Sequence, residues 1–304
     1  MERRQATNKV LMVRPASFGF NSETAANNYF QKAEAQSNDT AVRARREFDD
    51  YVDLLRRNGV DVWVIQDTPQ PYTPDSIFPN NWFSTHITGE LILYPMFAPN
   101  RQKERKLSAL ATVGMLEGVT KIVNLSGFEK EHLYLEGTGS MCLDRIHKKV
   151  YYCASERSSE KVVAEYCSEL DYTSLFFHSY DSQGQPIYHT NVMMTIATEY
   201  AVVCLESIRD EEERQRVVES LEASGHEIVP ITLEQVYHFA GNMLEVLDDK
   251  GQSLLLMSAA AKASLTPDQL RTLQRYSRIL APDLSTIETI GGGSARCMVA
   301  EIFI

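Results

Sequence analysis

Five times along this chain an amphipathic helical segment runs into a short break and then a β-rich strand. The helical segments cover about 41–58, 102–117, 158–169, 210–224 and 267–277. The strands that follow read at 60–65, 119–123, 172–177, 226–229 and 279–280. The breaks fall at Gly59, Gly118, Asp171, Gly225 and Ser277, so the unit recurs every 59, 53, 54 and 52 residues. Glycine at a break suits the left-handed position just past a helix, and Pro267 suits a first helical position. Such regularity fits repeated supersecondary units. No Gly/Ser/Pro-rich linker interrupts the pattern, so residues 1–304 read as a single domain.

A polar or glycine-rich cluster follows each break, in otherwise apolar sequence. These are Asp75-Ser-Ile-Phe-Pro-Asn80-Asn81, Glu136-Gly-Thr-Gly139, His189-Thr-Asn191, Gly241-Asn242, and Gly291-Gly-Gly-Ser-Ala-Arg296-Cys297. If the units form a ring, equivalent positions converge on its axis. A thiol, an imidazole and a carboxylate would then meet in one pocket, as nucleophile, base and orienting group. The segment after the last glycines, 297–304, reads as a terminal strand, and its bland reading is a buried cysteine packed in a core.

The bulk numbers narrow the function class. The formal net charge of −11 argues against binding nucleic acid or an anionic membrane. Five cysteines without a C-x-x-C pair, and no histidine cluster at zinc spacing, point to reduced thiols and no metal. Met1-Glu-Arg-Arg lacks the apolar core of a signal peptide, and no apolar run is long enough to span a bilayer. A cytoplasmic protein with a small-molecule partner is the expectation; a homo-oligomer stays open.

At these clusters the chain resembles the pentein superfamily of guanidino-group-modifying enzymes. The resemblance implies an α/β fold, a five-bladed α/β propeller of ββαβ units with a Cys-His-Glu site at its centre. It makes Cys297 the nucleophile, His189 the catalytic histidine and Glu136 the catalytic glutamate. Asp75 to Asn81 is similar to the D-S-V-F-V-E-D segment of dimethylarginine hydrolases, whose first Asp faces the amino-acid backbone. Arg157 in Ser155-Glu-Arg-Ser, and Arg101, are similar to arginines that hold a substrate α-carboxylate. Asn242 and Arg296 join the candidate substrate contacts. Alone, Arg101 sits in a charged run that reads as a solvated helix face, and Asn80-Asn81 and Gly241-Asn242 also read as turns.

The departures from the family pattern carry the substrate argument. The acidic pair of D-S-V-F-V-E-D is Asn80-Asn81 here, the His-x-Asp of arginine deiminases is His189-Thr-Asn191, and their Glu-Gly-Gly-Asp ends in Gly139. A buried guanidinium stays charged and needs carboxylates. An asparagine amide, both donor and acceptor, matches a neutral ureido group instead. The pattern is similar to that of the citrulline utilisation hydrolases. The expected reaction is cleavage of L-citrulline to ornithine, ammonia and carbon dioxide through a covalent Cys297 intermediate, without cofactor. Arg296 and an imidazolium at His189 would favour the thiolate. The alternatives are arginine deimination, dimethylarginine hydrolysis, amidinotransfer, or amino-acid binding without catalysis.

Overall fold

The computed structural model describes residues 4–304; the Met1-Glu-Arg start read above lies outside them. Among the described residues fifteen strands form five three-stranded sheets. The first holds β1 (Lys9–Arg14) and β2 (Asp61–Gln66). The second holds β3 (Phe83–Thr85), β4 (Glu90–Leu93) and β5 (Lys121–Asn124). The third holds β6 (Met141–Asp144), β7 (Lys149–Cys153) and β8 (Thr173–Phe177). The fourth holds β9 (Met194–Ile196), β10 (Tyr200–Val203) and β11 (Glu227–Pro230). The fifth holds β12 (Leu244–Leu247), β13 (Ser253–Leu256) and β14 (Arg278–Leu280), and β15 (Ala300–Glu301) returns to complete the first.

One pairing scheme recurs: two antiparallel strands, then a helical crossover to a third strand parallel to the second. In the first sheet β15 supplies the antiparallel partner of β1 from the far end of the chain. The crossover layer bears an apolar stripe. In the helix Thr40–Arg57 the buried residues Ala44, Phe48, Tyr51, Val52 and Leu55 recur at helical spacing, which is what packing one helix face on a sheet requires.

Neighbouring sheets are tied by hydrogen bonds at their first strands. Thr85 Oγ1 donates to Glu301 O at 3.0 Å, and Arg145 Nη1 to Thr85 O at 3.4 Å. Cys142 Sγ donates to Met194 O at 3.2 Å, and Thr195 Oγ1 to Met243 O at 2.9 Å. The Arg296 amide donates to Asn242 Oδ1 at 3.1 Å, which brings the fifth sheet against the closing segment.

Three sequence expectations change. The helix expected at 102–117 is broken into Pro99–Gln102, Leu107–Thr112 and a 3-10 turn Met115–Gly118. Its charged run lacks an apolar stripe, and Arg101 and Glu104 turn inward, both buried. The left-handed glycine there is Gly114 (φ 72°) rather than Gly118, whereas Gly59 (φ 83°) and Gly225 (φ 80°) terminate their helices as expected. The terminal strand shrinks to Ala300–Glu301. Cys297 to Val299 lie in a turn instead, the Cys297 amide donating to Ser294 O at 3.0 Å and the Val299 amide to Arg296 O at 3.3 Å, so these residues make local rather than ladder bonds.

Candidate active site

The last glycine run is more ordered than a flexible loop. Gly291 ends the helix Ser285–Gly291, and Gly292 (φ 63°) takes the left-handed cap. Glu47 clamps the start of this helix by accepting from the Thr286 and Ile287 amides at 2.9 and 3.0 Å, where a carboxylate complements the free N–H groups. A Cβ on Gly293 would meet the Phe78 ring at 2.9 Å, so only glycine lets this backbone pass. The chain then turns, with the Cys297 amide donating to Ser294 O at 3.0 Å.

Cys297 enters a cavity of only ≈ 10 Å³, lined also by Asp75, Asn81, Arg101, Arg157 and His189. That volume takes about one water molecule. Residues near 21–31 close it. Asn21 Nδ2 donates to Asp75 Oδ2 at 2.7 Å, Arg157 Nη2 to Thr24 O at 3.1 Å, and Asn28 Nδ2 to Gly292 O at 3.3 Å. An amino acid can enter only if this covering segment moves.

Glu136 stands behind His189, fully buried. Its Oε2 lies 2.8 Å from His189 Nε2, 3.3 Å from Arg157 Nη1 and 3.7 Å from Arg101 Nη1. Burial works against the carboxylate, but Arg157, His189 and Arg101 together hold it below the usual range. Burial also drives the proton from His189, lowering it to about 4 despite Glu136. His189 is therefore neutral near pH 7, which corrects the expected imidazolium. With Glu136 ionised, the 2.8 Å contact puts the remaining proton on Nε2 and leaves Nδ1 as a base. Gly139 explains its own identity: a Cβ there would sit 2.8 Å from Nδ1. The aspartate missing from this motif has no room.

The thiol meets amides rather than cations. Asn242 Nδ2 lies 3.2 Å and Asn191 Nδ2 3.7 Å from Cys297 Sγ. Arg296 does not face the thiol: its guanidinium donates to Val299 O and to Glu301 Oε2, both at 2.9 Å, on the far side of the turn. The consecutive residues 296 and 297 point to opposite sides, so the expected contact of the Arg296 side chain with substrate and thiolate is not made. Asn80 is likewise outside the cavity, donating to Thr138 Oγ1 at 3.3 Å. Asn81 does face it, accepting from Arg101 Nη1 at 2.9 Å. Arg101 is a buried side chain held by Glu104 at 3.0 Å, not part of a solvated face. Arg157 is held by Asn27, Thr24 O and Glu136. Both arginines are engaged within the protein. Asp75 is buried with Oδ1 unpartnered, and burial raises it even with Arg101 at 3.9 Å.

The sequence reading missed three contributors. Tyr188 donates to Gly292 O at 2.6 Å and packs on His189 with ring centroids 4.6 Å apart. The covering asparagines Asn21, Asn27 and Asn28 escaped because they lie outside the five-fold pattern. Glu47 acts across the fold, and no local motif marks it. Among the described residues no group of histidine, cysteine and carboxylate side chains is arranged to hold a metal. No helix among the described residues is long and apolar enough to cross a membrane.

A family model described as N,N dimethylarginine dimethylhydrolase, eukaryotic, matches residues 14–304. No curated protein matches in sequence. Among solved structures, the N-terminal domain of ArgZ bound to substrate is similar over 97% of both chains, at 15% identity and TM-score 0.74. ArgZ is described as an arginine dihydrolase from the ornithine–ammonia cycle in cyanobacteria. AgrE in complex with L-arginine is 16% identical with TM-score 0.73, matching 97% of this chain and 40% of its own. A dimethylarginine hydrolase (DDAH) from Pseudomonas aeruginosa complexed with citrulline is 14% identical, TM-score 0.67, over 98% of this chain and 100% of its own. At such identities these structures establish likeness of fold.

Proposed function

The chain belongs to the N,N dimethylarginine dimethylhydrolase family, and we propose that within it this protein hydrolyses the ureido group of L-citrulline. It is a cysteine-dependent hydrolase of linear C–N bonds, with a pentein fold. We read the five sheets as blades of one closed propeller with the cavity on its axis, since the ties between first strands run from sheet to sheet without a gap.

The observation that carries the substrate reading is the charge balance around Cys297. Glu136, the carboxylate nearest the reacting groups, is already shared by Arg157, Arg101 and His189. Asp75 is a carboxylate on the cavity wall itself, and the α-ammonium of an amino acid would take it. A guanidinium at the far end of the same substrate would be left with amides, those of Asn242 and Asn191 beside Cys297 Sγ. Leaving such a charge unpaired costs several kcal/mol, on the order of 3–5. A ureido group carries no charge, and its oxygen and N–H groups match Asn81, Asn191 and Asn242.

In the mechanism, neutral His189 accepts the Cys297 proton at Nδ1 as Sγ attacks the ureido carbon. His189 then returns that proton to the departing ornithine nitrogen, leaving a carbamoyl thioester on Cys297. Water, activated by His189, hydrolyses the thioester to carbamate, which breaks down to ammonia and carbon dioxide. Glu136 orients His189 and balances its charge while it carries the proton. Arg157 binds the substrate α-carboxylate once the covering segment opens and releases it from Asn27 and Thr24, with Arg101 beside it on the cavity wall.

A second reading has a specific support: the unpartnered Asp75 Oδ1 could hold a guanidinium, making arginine or a methylated arginine the substrate. A panel of citrulline, arginine and dimethylarginine with product identification decides. Ornithine from citrulline, at a higher kcat/KM than either guanidino compound is consumed, is expected. A preference for arginine overturns the reading. Cys297→Ala should cut turnover on the order of 10³-fold or more; unchanged turnover would remove Cys297 as nucleophile.

A further inference from the structure

A second cavity, of ≈ 450 Å³, opens beside the helix that carries the nucleophile turn. Its volume is in the usual range for small-molecule sites. Phe30 and Lys32 of the covering segment face it, with Tyr237, Phe239 and Glu288. The Phe30 ring lies 5.9 Å from Tyr237 and 5.1 Å from Phe239, forming an aromatic corner. Phe239 holds φ at 61°, a conformation costly for a bulky residue. Strain of this kind persists only where the surroundings over-determine it.

Glu288 is 7% exposed, and no ion pair joins it among the described residues. Ser294 Oγ donates to its Oε1 at 2.5 Å. Burial, reinforced by the like charges of Glu47 and Asp283, pushes it up to about 7. A buried carboxylate without a cation, beside aromatic faces, is the chemistry that receives an ammonium or guanidinium. Lys32, at the same cavity, is an exposed partner for a carboxylate.

We propose that this cavity is a regulatory site for a basic α-amino acid, its side-chain cation at Glu288 and the aromatic corner and its carboxylate at Lys32. The site touches both parts that gate the active centre. Lys32 N donates to Thr289 O at 2.8 Å, and Gln31 Nε2 to Gly291 O at 3.2 Å. Ser294, bonded to Glu288, accepts the Cys297 amide. Phe30 also packs edge-on against Tyr188, centroids 6.2 Å apart, and Tyr188 lies on His189. A bound ligand spans cover and nucleophile helix and favours the closed form. The closed cavity has no room for a substrate, so occupancy raises the apparent KM and leaves kcat unchanged.

Equilibrium dialysis with L-lysine, which has no ureido or guanidino group, tests this on wild type, Glu288→Gln and Tyr237→Ala. Each substitution should weaken L-lysine binding at least about tenfold. In wild type, L-lysine at ten times its Kd should raise the apparent KM for citrulline roughly tenfold, and this effect should vanish in both variants. Equal binding to all three proteins, or none to wild type, overturns the proposal. The dialysis needs no turnover, so it decides even if citrulline proves not to be the substrate.

Discussion

Glu136 and Glu288 are both withdrawn from water near the turn that carries Cys297, and burial opposes ionisation at each. Glu136 has Arg157, His189 and Arg101 around one oxygen and stays charged. Glu288 has hydroxyl partners and like-charged neighbours, and it is pushed up to about 7. The same residue type, at similar depth, becomes a fixed anion in one place and a titrating group in the other. The neighbours decide, and those neighbours arrive from distant parts of the chain.

The largest effect should come from Glu136→Gln. It leaves the buried Arg157 guanidinium without its ion-pair partner, while Arg101 keeps Glu104, so urea unfolding should show a loss of about 3–5 kcal/mol, together with a fall in kcat of roughly 10²-fold or more. A loss under 1 kcal/mol would mean that Arg157 does not depend on Glu136. Glu288→Gln should behave in the opposite way. A carboxyl whose folded pKa is about 7, against an ordinary value of 4.5, costs stability as pH rises between these values. The neutral variant escapes that cost. Its unfolding free energy should exceed that of wild type by about 2–3 kcal/mol at pH 8, and the gap should close toward pH 4.5. A gap that does not change with pH would show that Glu288 is not the titrating group.

The smallest effect is a displacement in pH. In the proposed mechanism His189 is a base, which it can be only when neutral, so with its pKa at about 4 the acid limb of kcat/KM should have its midpoint near there. A midpoint at the ordinary histidine value of about 6.5 would show that burial does not govern it.

Much of the fold was legible because each repeat writes its own signals. The helices at 40–57, 160–170, 211–223 and 267–276 and the strands after them follow from apolar periodicity and terminal residues, which act within one turn of chain. The second repeat was misread because Arg101 and Glu104 satisfy each other inside the protein, an arrangement a charged run does not announce. At the site, Cys297, His189, Asp75 and Asn81 reach one cavity from equivalent positions in the repeats, whereas Arg101 and Arg157, on the same cavity, were marked only by the family resemblance. Asn80 and Arg296 carried the same expectation and point elsewhere. Which of two adjacent side chains faces the cavity depends on the backbone turn at that residue.

By itself the sequence determined the five-fold alternation of strand and helix, the polar clusters at equivalent points, and the replacement of carboxylates by asparagines. Those are properties of residue type and spacing. The tertiary structure alone decided the state of the groups. It brought Arg101 and Arg157 onto Glu136, left His189 neutral, turned Arg296 away from the thiol, and laid Asn21, Thr24, Asn27 and Asn28 over the cavity. Charge and proton affinity depend on what lies within a few ångströms and on how much water is excluded. Neither is set until segments more than a hundred residues apart have packed together.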